Sequence, residues 1–167
     1  MIYLKKINEF DALKEYNFFK EFPYNENGFL NDVYKYSFEE FKNVYIPYRI
    51  KCQNEENLKK GFVPDTYFFL WDDDMIVGLF KVRHYLNDIL RDGAGHIGYG
   101  ILPSKRGKGY AKIGLGLAIK ELKKVIKEDE VYLSCYKYNL ASLKVMKHNN
   151  GYIHHEDETK YFVRIKI

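Results

Sequence analysis

The chain has 167 residues, 46% of them hydrophobic and 30% charged, which fits one globular domain with a sizeable core and excludes a disordered chain. A net charge of +4, from 27 basic and 23 acidic residues, decides nothing by itself about nucleic acid or membranes. The two cysteines, Cys52 and Cys135, lie far apart with no second pair, which suits a reduced, cytoplasmic protein better than a disulfide scaffold. Lys5, Lys6, Glu9 and Asp11 leave no signal-peptide core at the start of the chain. The longest apolar stretches, Tyr67–Trp71 and Met75–Phe80, fall far short of the roughly 20 residues of a membrane span. In chain order, alternation predicts a strand over Ile2–Ile7, then a helix from about Phe10 to Phe22 stopped by Pro23. Ser37 and Glu40 have capping-box spacing ahead of a helix with Phe38, Phe41, Tyr45 and Tyr48 on one face, which Pro47 kinks or ends.

Asn54–Thr66 reads as a loop, after which the period changes to that of strands. Tyr67–Trp71 and Met75–Arg83 form a hairpin about Asp72-Asp73-Asp74, and His84–Ala94 is a polar connection. Gly95–Leu102 is a strand stopped by Pro103, followed by a Gly-rich basic loop and a helix to about Lys127. A strand at Val131–Tyr136, a helix at Leu140–His148 closed by Asn149-Asn150-Gly151, and strands near Tyr152–His155 and Tyr161–Ile167 complete the chain. Helices and strands alternate while hairpins recur, so the fold class is mixed α/β (α+β) with a mixed sheet, in a single domain over 1–167.

The chemistry concentrates in Pro103-Ser-Lys-Arg-Gly-Lys-Gly-Tyr-Ala111. Two glycines between a strand and a helix let successive backbone amides turn toward one point, and the helix dipole adds to them, which makes a phosphate cradle. Residues 104–127 hold eight basic side chains against Glu121, a local charge of +7 set against −3 in the remainder. A Walker loop fails because Gly109, not Ser or Thr, follows Lys108. A dinucleotide fingerprint fails because Lys112 stands where its third glycine belongs.

Arg106-Gly107-Lys108-Gly109-Tyr110-Ala111 matches Arg/Gln-x-x-Gly-x-Gly/Ala, and with it the sequence resembles the GNAT superfamily of acetyl-CoA-dependent N-acetyltransferases, most clearly over residues 66–153. Asn139-Leu-Ala-Ser142 is similar to the family's Asn-x-x-Ser/Ala segment. Arg83–Asn87, Gly95–Tyr99 and Pro103-Ser104 look like a bacterial subgroup of predicted acetyltransferases. The resemblance implies a mostly antiparallel sheet with a splayed parallel strand pair, Gly95–Leu102 and Val131–Tyr136, that admits pantetheine. It implies that backbone groups of Ile101 and Leu102 meet the pantetheine arm, with the oxyanion held near Leu102. Amides of Arg106, Gly107, Lys108, Gly109, Tyr110 and Ala111 would hold the pyrophosphate, with Asn139 and Ser142 beside the thiol arm. Acetyl-CoA is then the cosubstrate, with no metal, and the partner is an unidentified amine.

An attacking amine must lose a proton, and His96, near the start of the splayed strand, is the candidate base, with His84 a weaker one. His96 can equally be a structural hydrogen-bonding residue. Asn139 is also a good N-cap, a role compatible with binding. Met146 stands where many relatives carry a proton-donating Tyr, which leaves Tyr136, Tyr138 or water as alternatives. Cys135 reads as a small buried hydrophobe, and His154-His155-Glu156-Asp157-Glu158 as a polar turn without metal spacing. Gly114 and Gly116 suggest close helix packing. The first 65 residues are expected to build the acceptor side. The competing class is a non-catalytic acetyl-CoA-binding module. Nucleic acid and membrane are not expected partners, and a homodimer stays open.

Overall fold

The computed structural model describes all 167 residues. The chain runs through β1 (Ile2–Lys6), α1 (Ala12–Glu21), a short hairpin of β2 (Asn25–Glu26) and β3 (Phe29–Leu30), then α2 (Phe38–Glu40) and α3 (Ile46–Lys51). There follow β4 (Asp65–Asp72), β5 (Met75–Arg83), α4 (Asp88–Arg91), β6 (Ile97–Ile101), α5 (Tyr110–Leu122), β7 (Glu130–Tyr136), α6 (Leu140–His148), β8 (Tyr152–Glu156) and β9 (Lys160–Lys166). Besides the two-stranded β2-β3 hairpin, two antiparallel sheets result, ordered β1-β4-β5-β6 and β7-β9-β8.

Strand alternation divides the core in two. Phe68, Leu70, Phe80, Val82, Ile97 and Ile101 point to one face and meet Leu115, Ala118 and Leu122 of α5. Tyr67, Phe69, Leu79 and Leu102 point to the other and meet Phe18, Phe19 and Phe22, with Phe41, Tyr45 and Ile46 behind them. The expected close packing is present at Gly114, where an added Cβ would sit 2.3 Å from the Phe80 ring. The capping box expected at Ser37 and Glu40 forms. Between α2 and α3 the helix widens into a π-turn over Phe41–Tyr45. Pro47 has no N–H for the Asn43 carbonyl and its ring crowds that group, which the wider turn relieves.

Several elements differ from expectation. The helix of the basic segment ends at Leu122, not near Lys127, and Glu121 then pairs with Lys124 in a turn. The 84–94 connection contains α4, capped by the Asn87 side chain on the Leu90 amide. His154 and His155 lie on β8, and the turn falls after Glu156. The β2–β3 hairpin has no counterpart in the expected elements. Its turn is Asn27-Gly28, with φ of 51° and 91°, the left-handed pair that a two-residue hairpin needs.

The expected parallel pair makes no parallel ladder. β6 and β7 belong to different sheets, joined at one isolated bridge between Gly95 and Leu133. The His96 amide reinforces that point by donating to the Tyr132 carbonyl at 2.7 Å. Residues C-terminal to it on both strands line an open space, so the strands separate side by side from a common anchor.

Candidate active site

The space between β6 and β7 is a cleft of ≈ 840 Å³, within the range of small-molecule sites. One end is formed by Lys105–Gly107 and Gly109–Lys112, the middle by Ile97–Ile101 and Ser134–Tyr136, and the other end by Phe29, Tyr67, Lys81 and Arg83.

At the first end, Gly107 and Gly109 have φ of +77° and +81°, a region costly to other residues. A Cβ added at either would meet nothing within 4 Å, so both face open space. The amides of Gly107 through Lys112 have no protein acceptor; the first paired donor is Ile113, to the Gly109 carbonyl at 3.2 Å. A row of free N–H groups at the N-terminus of α5 can receive the oxygens of an anion. Arg106 braces it: Nε donates to the Ile101 carbonyl at 3.2 Å, and Nη2 pairs with Glu26 at 2.7 Å. Tyr110 is held by its hydroxyl, which donates to Asp72 at 2.6 Å.

Along β6 the ladder decides which amides are free. Arg83 N–H donates to the His96 carbonyl at 2.8 Å and Leu102 N–H to the Val77 carbonyl at 3.0 Å. Antiparallel alternation from these two bonds directs the Gly98 and Gly100 backbones to β5, and those of Tyr99 and Ile101 away from it. Leu102 was the expected oxyanion donor; its amide is occupied and its side chain is buried outside the cleft. The donors open to the cleft are Tyr99 and Ile101. Gly100 lets the β2 region approach: its Cβ position lies 2.4 Å from the Phe22 ring and 3.6 Å from Cγ of Glu26. This places Glu26 over the middle of β6.

His96 does not reach the cleft. It is fully buried, its Nδ1 accepts from the Tyr132 amide at 2.9 Å, and its Nε2 donates to Glu128 at 3.0 Å. Desolvation lowers its pKa against the Glu128 hydrogen bond, so it is a neutral imidazole with both nitrogens engaged. Glu128 is desolvated, yet hydrogen bonds from His96 and the Leu86 amide hold it below the usual carboxylate range. The expected base is therefore a clamp between the start of β6 and the segment entering β7. His84 is also outside, with Nε2 2.9 Å from the Thr66 hydroxyl.

Of the other expected residues, Ile101, Arg106, Gly107, Gly109, Tyr110, Ala111, Asn139 and Ser142 line the cleft together, while the Lys108 side chain does not. The Asn139 side chain accepts from the Ser142 amide at 3.2 Å, the expected cap. The Ser142 hydroxyl lies 2.8 Å from that of Tyr99, which ties α6 to β6. Met146 is buried and lines the cleft. Tyr136 lines it as well, whereas Tyr138 is exposed and stacks on Tyr136 with ring centres 5.2 Å apart. Burial raises the Cys135 thiol pKa, which disfavours a nucleophile. Nothing in the sequence alone marks Glu26 or Lys81, and Arg83 enters only within the Arg83–Asn87 block; the Asn27-Gly28 turn beside Glu26 and the strand spacing of Lys81 and Arg83 are the available signals. No group of three or more His, Cys, Asp or Glu is placed to hold a metal ion, and no helix is long and apolar enough to cross a membrane.

The sequence profile of the family described as Acetyltransferase (GNAT) family matches residues 30–152. No curated protein sequence matches significantly. Among solved structures, the chain resembles ribosomal-protein-S5-alanine acetyltransferase from Vibrio fischeri, with a TM-score of 0.72 and 17% identity over 99% of this chain and 92% of that one. It also resembles spermidine N-acetyltransferase from Vibrio cholerae, solved with CoA and spermine, with a TM-score of 0.62 and 16% identity over 99% and 95% of the two chains. A third likeness is the Campylobacter jejuni N-acetyltransferase PseH in complex with acetyl coenzyme A, with a TM-score of 0.56 and 18% identity over 99% of each chain.

Proposed function

The chain belongs to the acetyltransferase (GNAT) family, and from that premise we propose that it transfers the acetyl group of acetyl-CoA to an amine by direct attack in a ternary complex. The observation that carries this reading is the row of unpaired amides from Gly107 to Lys112 opening into the same cleft as Tyr99, Ile101 and Glu26. Acetyl-CoA supplies the acetyl group as a thioester, with its pyrophosphate on those amides.

The rest is the work of the chain's own groups. The amides of Tyr99 and Ile101 are fixed donors for the carbonyl oxygen as charge develops on it, and preorganised donors of this kind are often the largest catalytic term. Glu26 takes the proton that an ammonium acceptor must shed before it can attack, and passes it to water. As the nitrogen–carbon bond forms and the carbon–sulfur bond breaks, Tyr136 donates its phenol proton to sulfur. The proton leaving the new amide nitrogen restores it. Glu26 serves as the base in place of the buried His96, and Tyr136 as the proton donor that Met146 cannot be.

The test is thiol release from acetyl-CoA with a panel of amines, alongside direct titration of CoA binding. Amine-dependent release supports the reading. CoA binding without release for any amine would instead favour a non-catalytic binding module.

A further inference from the structure

The end of the cleft remote from the glycine loop carries more positive charge than its surroundings neutralise. Lys81 and Arg83 stand two residues apart on β5, opposite Tyr67 and Asp65 in the register, so their side chains share one face. Asp65 is the buried carboxylate of this cluster, and two cations divide it. Arg49 of α3 forms an ion pair with it while lying 3.8 Å over the Tyr67 ring, and the Lys81 ammonium is 3.4 Å away. Arg83 has no carboxylate partner; its Nη1 donates to the Gly95 carbonyl at 3.0 Å. The other acids lining the cleft are committed elsewhere or exposed. Glu26 pairs with Arg106, and Asp32 accepts from the Tyr45 hydroxyl while facing solvent. Lys160 lines the cleft as well, with its ammonium 5.1 Å from the Tyr136 ring centre. Desolvation, partly offset by Asp65, lowers the pKa of both Lys81 and Arg83, as expected for cations with too little countercharge.

The position suits an acceptor. Lys81 is paired with Gly98 in the register, one residue before Tyr99 and three before Ile101, which along the strand is about 3 Å and about 10 Å from the two free amides of the cleft centre. The planar fork of Arg83 and the point charge of Lys81 together match an anionic oxygen group. We propose that Lys81 and Arg83 bind a carboxylate or phosphate on the amine acceptor, so that the acceptor class is an amine carrying an anionic group and not a polycation. This rests on the acetyl-transfer reading above.

The experiment measures binding to the CoA-saturated protein, and acetylation rates beside it, for matched pairs of amines. Lysine against cadaverine differs by a carboxylate, phosphoethanolamine against ethanolamine by a phosphate, and spermidine serves as the polycation. The expected result is at least tenfold tighter binding of the anionic member in one pair or both, and which pair responds identifies the anion. Lys81→Gln and Arg83→Gln are each expected to erase most of that preference while CoA affinity, which also reports folding, stays within a few-fold. Equal binding within both pairs, whether both members bind or neither does, overturns the proposal. So does tighter binding of spermidine, or a preference that survives both substitutions. CoA titration is scored separately: loss of CoA binding by the wild-type protein overturns the underlying reading, whereas CoA binding without anion preference overturns this proposal alone.

Discussion

The Arg106 guanidinium lies 2.7 Å from the Glu26 carboxylate while its Nε holds the Ile101 carbonyl at 3.2 Å. One side chain thus joins the glycine loop, the end of β6 and the β2–β3 hairpin, which are otherwise distant in sequence. The pairing also holds the Glu26 side chain beside β6, its Cγ 3.6 Å from the Cβ position of Gly100.

Glu26→Gln keeps the shape and a hydrogen bond to Arg106 but cannot accept a proton. The turnover number is expected to fall by about 10²–10⁴-fold, with CoA affinity unchanged within a few-fold. Because more of the acceptor is neutral at high pH, the deficit should shrink as pH rises. Steady-state rates across pH check this; a constant deficit, or none, contradicts a base role.

Gly107→Ala and Gly109→Ala place a methyl group in the cradle at positive φ. Each is expected to cost about 1–2 kcal/mol of stability from backbone strain. CoA affinity should fall at least tenfold, because the displaced amides are the proposed pyrophosphate donors. Calorimetric titration of CoA, with thermal melting as a control, separates the two effects.

His96→Asn removes the clamp between Glu128 and the Tyr132 amide. A loss of about 1–3 kcal/mol of stability is expected, the cost of leaving a buried partner unsatisfied. The shape of the rate-against-pH profile should not change. A shifted or flattened acidic limb would restore His96 to the reaction.

Glu15 is fully buried with its Oε2 unpaired, and burial pushes its pKa from 4.5 up to about 8, against the hydrogen bond from the Asn8 amide. The folded state therefore binds more protons than the unfolded state between those two values. Its contribution to stability is complete below about pH 4.5 and is lost as pH rises to about 8. Glu15→Gln should gain stability relative to wild type as pH increases over that window, by an amount of the order of a few kcal/mol. Chemical denaturation at several pH values reads the difference directly.

Much of the fold was legible because its signals are local. The capping box at Ser37, the hairpin at residues 72–74, the glycine loop and the Asn139 cap are each set by a few adjacent residues, and the structure places them as expected. The errors arise where hydrogen bonding is non-local. Leu102 looked like a free donor because nothing in its own neighbourhood reveals Val77, and His96 looked available because Glu128 and Tyr132 are more than thirty positions away. The β2–β3 hairpin is hard to read from sequence because two-residue strands show no alternation, although Asn27-Gly28 is a turn signal. Lys81 and Arg83 are ordinary strand residues by pattern; what sets them apart is that Arg49, distant in sequence, shares Asp65 with Lys81.

The most direct test of the central claim is amine-dependent release of free CoA thiol by the purified protein, with the acetylated amine identified by mass. The account predicts saturable release that requires both acetyl-CoA and an amine, and that falls sharply in Glu26→Gln. CoA binding with no release above the spontaneous rate for any amine would contradict it.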